Sequence, residues 1–450
     1  MSADSVQRPS EPPISHAARF ASLATAALIV CVLVSIALPL ETTVAGVAAL
    51  VALVGCFLVA TAKSRIVVLL LTGVGVLSAI IALTVFDARL EWDQLGRVNQ
   101  DLVAMIAGGA FIRGVVPLTL TQPKPRLTGT AALLRTSFLT HFFSSVLNMV
   151  SIGIVGDRLA RNGKLSRNNA SLVSHSFATA ALWSPFWAIT ALIVIYFPHL
   201  NLLPVTLTGM AGAVMILIVI ALWNAARRTP QELAEPGYPL QASLLWLPLA
   251  LIGCVIATHF LIPGTPVPRL VLLASIIVPL LFGTVRTGLR ETLAKFARVA
   301  TSGLTSSANE SALFIAAGIF TVGGSMLTAN LPITLAGVPP TVFSAWLLTV
   351  AIMLLSLLGV HSIVSISIAA ALMLFTPGSE YLYATAMAWG WSLSGATGPL
   401  SGTIIYVSQR YSLNGRSLIA ANLPVALFMV ALAFPAIWIV ARLSEAWGLA

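Results

Sequence analysis

Apolar stretches of about the length that crosses a membrane recur along almost the whole chain. Roughly eleven of them reach the ~20 residues that a spanning helix needs, and two more are too long for one crossing. Charged residues make up only 8% of the 450 residues, whereas soluble domains carry about 25%. A surface so poor in charge is typical of a protein whose solvent is lipid. The sequence therefore predicts an all-α, polytopic membrane protein with no room for a large soluble domain.

The basic residues set the predicted topology. The net charge is +10, and most Lys and Arg residues fall in short loops between apolar stretches, as the positive-inside rule requires. No basic surface interleaved with aromatic residues is present, so nucleic acid is excluded as a partner. With Arg8 and Arg19 in the cytoplasm, the first apolar run, 20–40, is a retained helix of a multi-pass inner-membrane protein. The N-terminus is then cytoplasmic and the C-terminus external.

The cysteines offer neither disulfides nor metal ligands. Cys31, Cys56 and Cys254 each lie inside an apolar run, where a free thiol packs as a small hydrophobic group. The sequence carries no CxxC motif and no His/Cys cluster. We therefore expect no metal site and no cofactor, apart from Na⁺ or H⁺ as a coupling ion.

Two apolar stretches are predicted to enter the membrane and return on the same side. The stretch 130–155 has basic residues on both flanks, so a re-entrant hairpin keeps both flanks in the cytoplasm. The stretch 345–375 contains 31 residues without Lys, Arg, Asp or Glu. As one straight helix it would measure about 46 Å, against a hydrocarbon core of about 30 Å. Its polar centre at His361 and Ser362 therefore predicts a second hairpin, which enters from outside.

The layout of the two halves predicts an inverted repeat. Each half has three helices, a hairpin and two more helices, and the two halves begin on opposite sides. His141 and Ser145 in the first hairpin match His361 and Ser365 in the second, 220 positions further on. Inverted repeats with broken helices are typical of secondary transporters. The predicted segments are a cytoplasmic tail (1–17), a first helix (18–43), repeat 1 (44–224), a cytoplasmic linker (225–243), repeat 2 (244–442) and a C-terminal tail (443–450).

Four segments resemble the ion transporter superfamily, most closely its divalent-anion:sodium symporters, with arsenite permeases and related antiporters more distant. They are the hairpin tips SSVLN (144–148) and SISIAAA (365–371), the run LFIAAGIF (313–320) and the segment WSLSGATGPLSG (391–402). The resemblance implies a homodimer with an elevator-type transport domain, whose hairpin tips help to hold Na⁺ and a substrate carboxylate. Neither tip carries the family's Ser-Asn-Thr triplet, so the coupling ion stays open between Na⁺ and H⁺.

Polar residues in the hairpins and broken helices are the candidate substrate- and ion-binding groups. Ionisable groups inside a membrane are costly and mark functional sites, and Gly with Pro inside a span indicates unwinding at a site. The alternatives are a neutral His bonded within its hairpin, Ser and Gly that pack helices together, and a Glu that only satisfies a helix dipole. The binding candidates are His141, Ser144, Ser145, Asn148, His361, Ser362, Ser365, Ser367, Ser392, Ser394, Gly395, Thr397, Gly398 and Pro399, and the candidate coupling residues are Glu310 and His175.

These features favour a secondary active transporter for a small organic or inorganic anion, carboxylate-like and coupled to H⁺ or Na⁺. A cation/proton antiporter or an exporter of the same architecture is the main alternative. A channel and a membrane-embedded enzyme are remote alternatives. A channel commonly needs a pore ring from several subunits, and an enzyme of this kind usually places its catalytic groups in a sizeable external loop, which this sequence lacks. We therefore expect no enzymatic activity.

Overall fold

The described part of the chain is helical throughout. The computed structural model describes residues 15–38, 42–89, 99–116, 127–239, 242–331, 339–372 and 378–449. Within these ranges all helices are α or 3₁₀, and the only β-type pairing is an isolated bridge between Arg161 and Lys164 in a turn. The prediction of an all-α protein is therefore confirmed for these residues.

Polar caps mark where the long helices of the first half begin. Ser15 Oγ accepts a hydrogen bond from the N–H of Ala18, and Thr61 Oγ1 accepts one from the N–H of Ser64. Such caps satisfy N–H groups that have no partner inside a helix. The helices before the first hairpin are α1 (His16–Ala37), α2 (Thr42–Val59), α3 (Ala62–Val85) and α4 (Gln100–Val115).

Two helices that pack on each other around a tight turn form hairpin 1. They are α5 (Gly129–Leu147) and α6 (Val150–Leu159). Asn148, between them, has φ 51° and ψ −136°, so its backbone leaves the helical region and ends α5. The hairpin starts one residue before the predicted range 130–155 and ends four residues after it.

The helical segment after hairpin 1 is interrupted near its middle. It consists of α7 (Arg167–Ala178), a 3₁₀ turn (Thr179–Leu182), an unwound segment and α8 (Ala188–Tyr196). Pro185 explains the interruption, because proline has no N–H and disfavours helical angles at the preceding residue, Ser184. We call this unwound segment, 183–187, break 1.

A long helix and a linker connect this half to the next. They are followed by three helices and a 3₁₀ turn that lead to the second hairpin. The elements are α9 (Leu203–Ala226), the short α10 (Pro230–Leu233), α11 (Ala242–Leu261), α12 (Val267–Thr287), α13 (Leu289–Ser302), a 3₁₀ turn (Gly303–Ser307) and α14 (Ala308–Thr328).

The second half ends in another hairpin and another interrupted helix. Hairpin 2 consists of α15 (Val342–Leu357) and α16 (Ser362–Leu372), joined by a turn in which Gly359 has φ +93°. The predicted hairpin range, 345–375, runs past residue 372 to positions that lie outside the described residues. The last helices are α17 (Glu380–Thr397), α18 (Gly402–Arg410) and α19 (Gly415–Ala446). We call the segment between α17 and α18, 398–401, break 2.

Helix pairs in one half have counterparts in the other. α3 packs on α14 and α12 packs on α4, α5 packs on α9 and α15 on α19, and α7 packs on α9 and α17 on α19. α9 and α19 also pack on each other. Exchanging α3 with α12, α4 with α14, α7 with α17, α9 with α19 and the two hairpins with each other reproduces this set of pairs. These pairs have matching partners in the two halves, whereas the pair of α1 and α2 has none among them.

Six helical segments in the described ranges are long and apolar enough to cross a membrane. They are α1, α3, α9, α12, the continuous segment Leu289–Thr328 and α19. The sequence predicted about eleven crossings. The numbers differ partly because interrupted helices consist of pieces too short to cross alone, such as α8 with 9 residues. Length and composition recognise a continuous helix but not a span assembled from two pieces.

Candidate functional site

Side chains from break 1 cap the end of α5. The last carbonyl groups of a helix have no partner inside it. Ser144 O accepts a hydrogen bond from Trp187 Nε1 at 2.9 Å, and Ser145 O accepts one from Ser184 Oγ. Both donors lie in break 1, so the interruption of one helix satisfies the tip of hairpin 1.

His141 joins α5 to break 1 through one ring nitrogen and to the preceding 3₁₀ turn through the other. Trp183 Nε1 donates to His141 Nε2 at 2.9 Å, and His141 Nδ1 lies 3.0 Å from Thr179 Oγ1. Thr179 itself donates to Ser176 O at 3.0 Å, so its oxygen is left to accept from Nδ1. This pattern assigns a neutral ring with its proton on Nδ1. Both nitrogens are bonded within the protein, which favours the structural role for His141.

The serines near the tip of hairpin 1 also bond within the hairpin. Ser144 Oγ and Ser151 Oγ are 2.7 Å apart, and Ser151 donates to Asn148 O at 2.7 Å. Ser145 Oγ donates to Phe142 O at 2.8 Å. In this conformation the hydroxyls hold the tip together.

Asn148 combines a strained backbone with a place at a cavity. Its φ of 51° with ψ of −136° is a sparsely populated combination for a residue other than glycine, and such conformations cost about 1–3 kcal/mol and cluster at functional sites. The residue lines a cavity at the tip of hairpin 1. Its position therefore favours a functional role more than those of the neighbouring serines do.

Break 2 is packed against hairpin 2. The N–H of Gly398 donates to Ser394 O at 2.7 Å, after which Pro399 ends the helix. A Cβ on Gly398 would collide with Ser356 Oγ of hairpin 2, so this approach needs glycine. Ser401 Oγ donates to Gly395 O at 3.0 Å, which satisfies a carbonyl freed by the break.

Three further predicted residues lie on α17. Ser394 Oγ donates to Ile352 O of hairpin 2 at 3.3 Å, and Thr397 Oγ1 donates to Leu393 O at 2.8 Å. Ser392 Oγ is buried and has no hydrogen-bond partner in the described part of the chain. Of the three hydroxyls, only that of Ser392 therefore lacks a hydrogen-bond partner among the described residues.

The start of α16 carries free polar groups. His361 Nδ1 accepts a hydrogen bond from the N–H of Ile363 at 3.3 Å, and its ring meets Trp391 edge-on at 6.1 Å between centroids. No described residue bonds to His361 Nε2. Ser362 is buried beside it, and Ser365 Oγ, one turn further, is buried without a partner. His361 and Ser365 thus keep bonding capacity that their counterparts in hairpin 1 have used.

Ser367 connects hairpin 2 to two other helices. Its Oγ lies 3.4 Å from Tyr196 OH at the end of α8, and the same Tyr196 OH lies 3.4 Å from Thr321 Oγ1 of α14. The predicted binding residue Ser367 therefore belongs to a small polar contact between three helices.

His175 lies on α7, part of the first interrupted helix, and contacts α19. Its side chain is fully buried, with Nε2 3.1 Å from Asn422 O and Nδ1 without a partner in the described residues. Asn422 Nδ2 donates to Ala396 O at 2.6 Å, close to break 2. A Cβ on Gly395 would lie 3.4 Å from Ala178 Cβ, which closes the contact between α7 and α17. The fold thus brings the two interrupted helices side by side.

A cavity of about 400 Å³ lies against the tip of hairpin 1. Its walls come from α4, hairpin 1, break 1, α12, the start of α14 and α18. Of the predicted site residues, Asn148 and Glu310 line it, whereas those of hairpin 2 and break 2 do not. Its polar and charged lining residues are Arg113, Asn148, Ser275, Ser306, Ser307, Glu310 and Tyr406.

Arg113 and Glu310 are the charged side chains of this cavity. Both are exposed at its surface, Arg113 from α4 and Glu310 from the first turn of α14. Arg113 Nη2 donates to the hydroxyl of Ser306 at 2.8 Å, and its guanidinium interacts electrostatically with Glu310. Sequence reasoning did not assign Arg113 to the site. The available signal was an Arg inside the apolar stretch 102–120, since ionisable residues in spans are costly.

The described residues hold no group of three or more His, Cys, Asp or Glu side chains arranged to bind a metal. Cys31, Cys56 and Cys254 are free thiols. The polar groups around both breaks include hydroxyls, carbonyls and the imidazoles of His141 and His361, which suit a hydrogen-bonding solute.

Comparison with known proteins gives a likeness of fold. No protein-family model matches the sequence, and no curated protein does. Among solved structures, the crystal structure of the Alcanivorax borkumensis YdaH transporter, described as having an unusual topology, matches with a TM-score of 0.50 and 18% sequence identity. The match covers 78% of this chain and 85% of the other. Together with the six apolar helical segments, this likeness identifies the chain as a membrane protein with the fold of a transporter.

Proposed function

We propose that the protein is a secondary active transporter for a small, carboxylate-like anion that binds in the cavity beside Arg113. The observation that carries the proposal is a guanidinium on an apolar helix, hydrogen-bonded to the hydroxyl of Ser306 at 2.8 Å and sharing its cavity with Glu310. Glu310 is the charge partner of Arg113 while ionised, and once Glu310 is protonated a bound anion supplies the counter-ion. Arginine also binds a carboxylate through two parallel N–H bonds.

Glu310 supports coupling to protons. As a carboxylate it repels a second anion in the same cavity, and once protonated it does not. A proton on Glu310 therefore favours anion binding beside Arg113, and by linkage the anion favours the proton. Coupling to Na⁺ would instead use oxygen ligands, for which the partnerless hydroxyls of Ser365 and Ser392 are available.

The proposed transport unit is an inverted repeat whose hairpins and broken helices move as a body against the remaining helices. The exchangeable helix pairs and the two interrupted helices support this proposal. The homodimer and the relationship to divalent-anion symporters rest on the sequence resemblance. The inner-membrane location with a cytoplasmic N-terminus and an external C-terminus rests on the basic loops.

Transport by the purified protein in liposomes tests this function. The probes are labelled small mono- and dicarboxylates, offered under an inward H⁺ gradient or an inward Na⁺ gradient. We expect the H⁺ gradient to drive uptake of at least one of them. Arg113→Gln should weaken apparent affinity about 10- to 100-fold, as expected for loss of a charge-assisted hydrogen bond. Arg442→Gln is the control, because Arg442 is exposed and paired with Glu445 at 2.8 Å.

Glu310→Gln separates binding from coupling. We expect it to keep anion exchange across the membrane but to lose acceleration by the H⁺ gradient. Acceleration by Na⁺ alone, lost in Ser365→Ala, would move the coupling site to hairpin 2. Failure of every anion to enter under either gradient would contradict anion transport.

A cation/proton antiporter or exporter is the second function that the cavity supports. Its observation is the exposed carboxylate of Glu310, which can bind a cation or a proton in turn. For such a protein Glu310→Gln abolishes transport and Arg113→Gln leaves it nearly unchanged, the reverse of the expectation for an anion.

A further inference from the structure

A second, smaller cavity lies at the base of hairpin 1, lined by a set of residues that shares none with the cavity beside Arg113. It measures about 130 Å³ and is enclosed by the end of α6, the start of α7, the end of α9 and the linker before α11. Its charged and amide lining residues are Arg158, Arg161, Asn169, Arg228 and Glu235. Three guanidinium groups and one carboxylate thus surround a space of the size of a small ion with its first waters.

The guanidinium groups of this cavity carry more N–H donors than the surrounding described residues supply acceptors. Arg161 Nη1 lies 3.2 Å from Glu235 Oε1, and Arg228 Nη2 donates to Asn169 Oδ1 at 2.6 Å. Arg158 Nε and Nη2 and Arg228 Nε are buried and have no partner in the described residues. Buried donors without an acceptor are unfavourable, and a bound oxyanion provides the acceptors.

The linker is fixed over this cavity by close contacts with α5. Gly237 N–H donates to Leu127 O at 3.1 Å, and Tyr238 N–H donates to Thr136 Oγ1 at 2.9 Å. A Cβ on Gly237 would lie 2.7 Å from Ala132 O, so only glycine allows the linker to pass this close. The cavity is therefore enclosed by ordered backbone and is more than a cluster of surface charges.

We propose that this cavity binds a phosphate-type oxyanion, held by Arg158 and Arg228 with Arg161 at the rim. Three guanidinium groups line the cavity, against Glu235 in its wall and Glu232 near Arg228, so the positive charge is in excess. A tetrahedral oxyanion offsets that excess and accepts several N–H bonds at once. Free phosphate and the head group of a phosphomonoester lipid share this chemistry. The site is independent of the transported solute.

Thermal unfolding of the purified full-length protein tests the site with inorganic phosphate as the probe. At constant ionic strength, phosphate at ten times its Kd should raise Tm by about 1.5 °C relative to chloride. Arg158→Gln and Arg228→Gln should each weaken the effect at least ten-fold in phosphate concentration. Arg227→Gln is the matched control, since Arg227 is exposed, adjacent in sequence and outside the cavity. Arg113→Gln should also keep the full effect, which separates this site from the transport cavity.

A second measurement distinguishes the source of the phosphate group. Nanodiscs that contain phosphatidic acid are compared with nanodiscs of phosphatidylcholine alone. A Tm rise with phosphatidic acid but not with inorganic phosphate, lost in the same two variants, assigns a lipid head group. Equal rises in all variants would reflect general salt stabilisation, and no rise with either probe would mean that no such ligand binds. Either outcome overturns the proposal.

If Arg158→Gln fails to fold, direct binding of radiolabelled phosphate to Arg228→Lys and Arg228→Gln replaces the unfolding measurement on that variant. We expect Arg228→Lys to retain binding and Arg228→Gln to lose it.

Discussion

Hairpins 1 and 2 share an outline but are anchored at different places. Hairpin 1 is held at its tip, where Trp187 and Ser184 of break 1 bond to carbonyls at the end of α5. Hairpin 2 is held along its arms. On the first arm, Trp346 Nε1 donates to Val430 O at 2.8 Å and Thr349 Oγ1 lies 3.1 Å from Ala386 O. On the second arm, Ala371 O accepts a hydrogen bond from Thr328 Oγ1 at 2.9 Å. In the described residues, the turn of hairpin 2 at 358–361 makes local hydrogen bonds only.

The difference indicates which hairpin opens more easily. Opening the tip of hairpin 1 breaks several hydrogen bonds to another element. Opening the turn of hairpin 2 breaks no hydrogen bond to another element among the described residues. Local opening requires least free energy where the fewest buried interactions are lost. We therefore expect hairpin 2 to move first and hairpin 1 to remain fixed to break 1.

The largest expected difference in stability between the hairpins comes from substituting the two histidines at matching positions. His141→Leu leaves the partly buried Trp183 N–H without an acceptor and removes the bond to Thr179, so we expect a loss of about 2–4 kcal/mol in the free energy of unfolding. His361→Leu removes one bond within its own turn and should cost below about 1.5 kcal/mol. Thermal or denaturant unfolding in detergent measures both. Equal losses would refute the difference in anchoring.

Gly359 tests the turn of hairpin 2 alone. Its φ is +93°, and an added Cβ would meet nothing within 4 Å, so Gly359→Ala changes only the backbone preference. We expect a loss of about 1–2 kcal/mol. Gly73→Ala in α3 is the control, because that glycine is helical and equally uncrowded, and alanine there should stabilise by up to about 1 kcal/mol. A rise in Tm for both variants would show that the turn does not keep this conformation.

A substitution of Asn148 tests the tip of hairpin 1, and here the free energy of unfolding is expected to rise. Asn148→Gly relieves the strain at φ 51° and should stabilise the protein by about 1 kcal/mol. It also removes an amide from the cavity beside Arg113, so transport should fall as Tm rises. Asn148→Ala keeps the strain without the amide and should lower both. If Asn148→Gly leaves transport unchanged, the side chain has no part in binding.

The smallest change in the free energy of unfolding is expected at the other end of hairpin 1, outside the apolar spans. Asp157 accepts hydrogen bonds from Arg410 Nε at 2.8 Å and from Tyr411 OH at 2.9 Å, and these bonds, led by those of Arg410, lower the pKa of Asp157. A carboxylate with a lowered pKa stabilises the fold above its unfolded pKa, and the effect disappears as the pH falls through the folded pKa. Because the pair is about half exposed, Asp157→Asn should cost below about 1 kcal/mol.

The pH dependence of the Asp157→Asn variant checks the sign. The difference in Tm between wild type and variant should be constant from pH 8 to pH 5 and should shrink below about pH 4. A difference that grows with acidification would contradict the bond to Arg410.

Much of the fold follows from local sequence, and much of the site does not. The apolar stretches and the length of 345–375 predicted helices and a hairpin, because a helix is limited by the thickness of the bilayer. Pro185 and Pro399 lie at the breaks, where proline removes a backbone donor. Arg113 was missed because its sequence neighbours are those of any membrane helix, and its meeting with Glu310 depends on how α4 packs near the start of α14.

The sequence by itself determined where this chain is apolar, where its helices break and which polar residues it carries into the membrane region. Those properties are local, since they depend on side chains a few residues apart and on backbone hydrogen bonding. Only the tertiary structure decided that His141 is bonded at both nitrogens while His361 is not, and that Arg113 and Glu310 share a cavity. These facts depend on contacts between residues 38 to 197 positions apart, and no local pattern specifies such contacts.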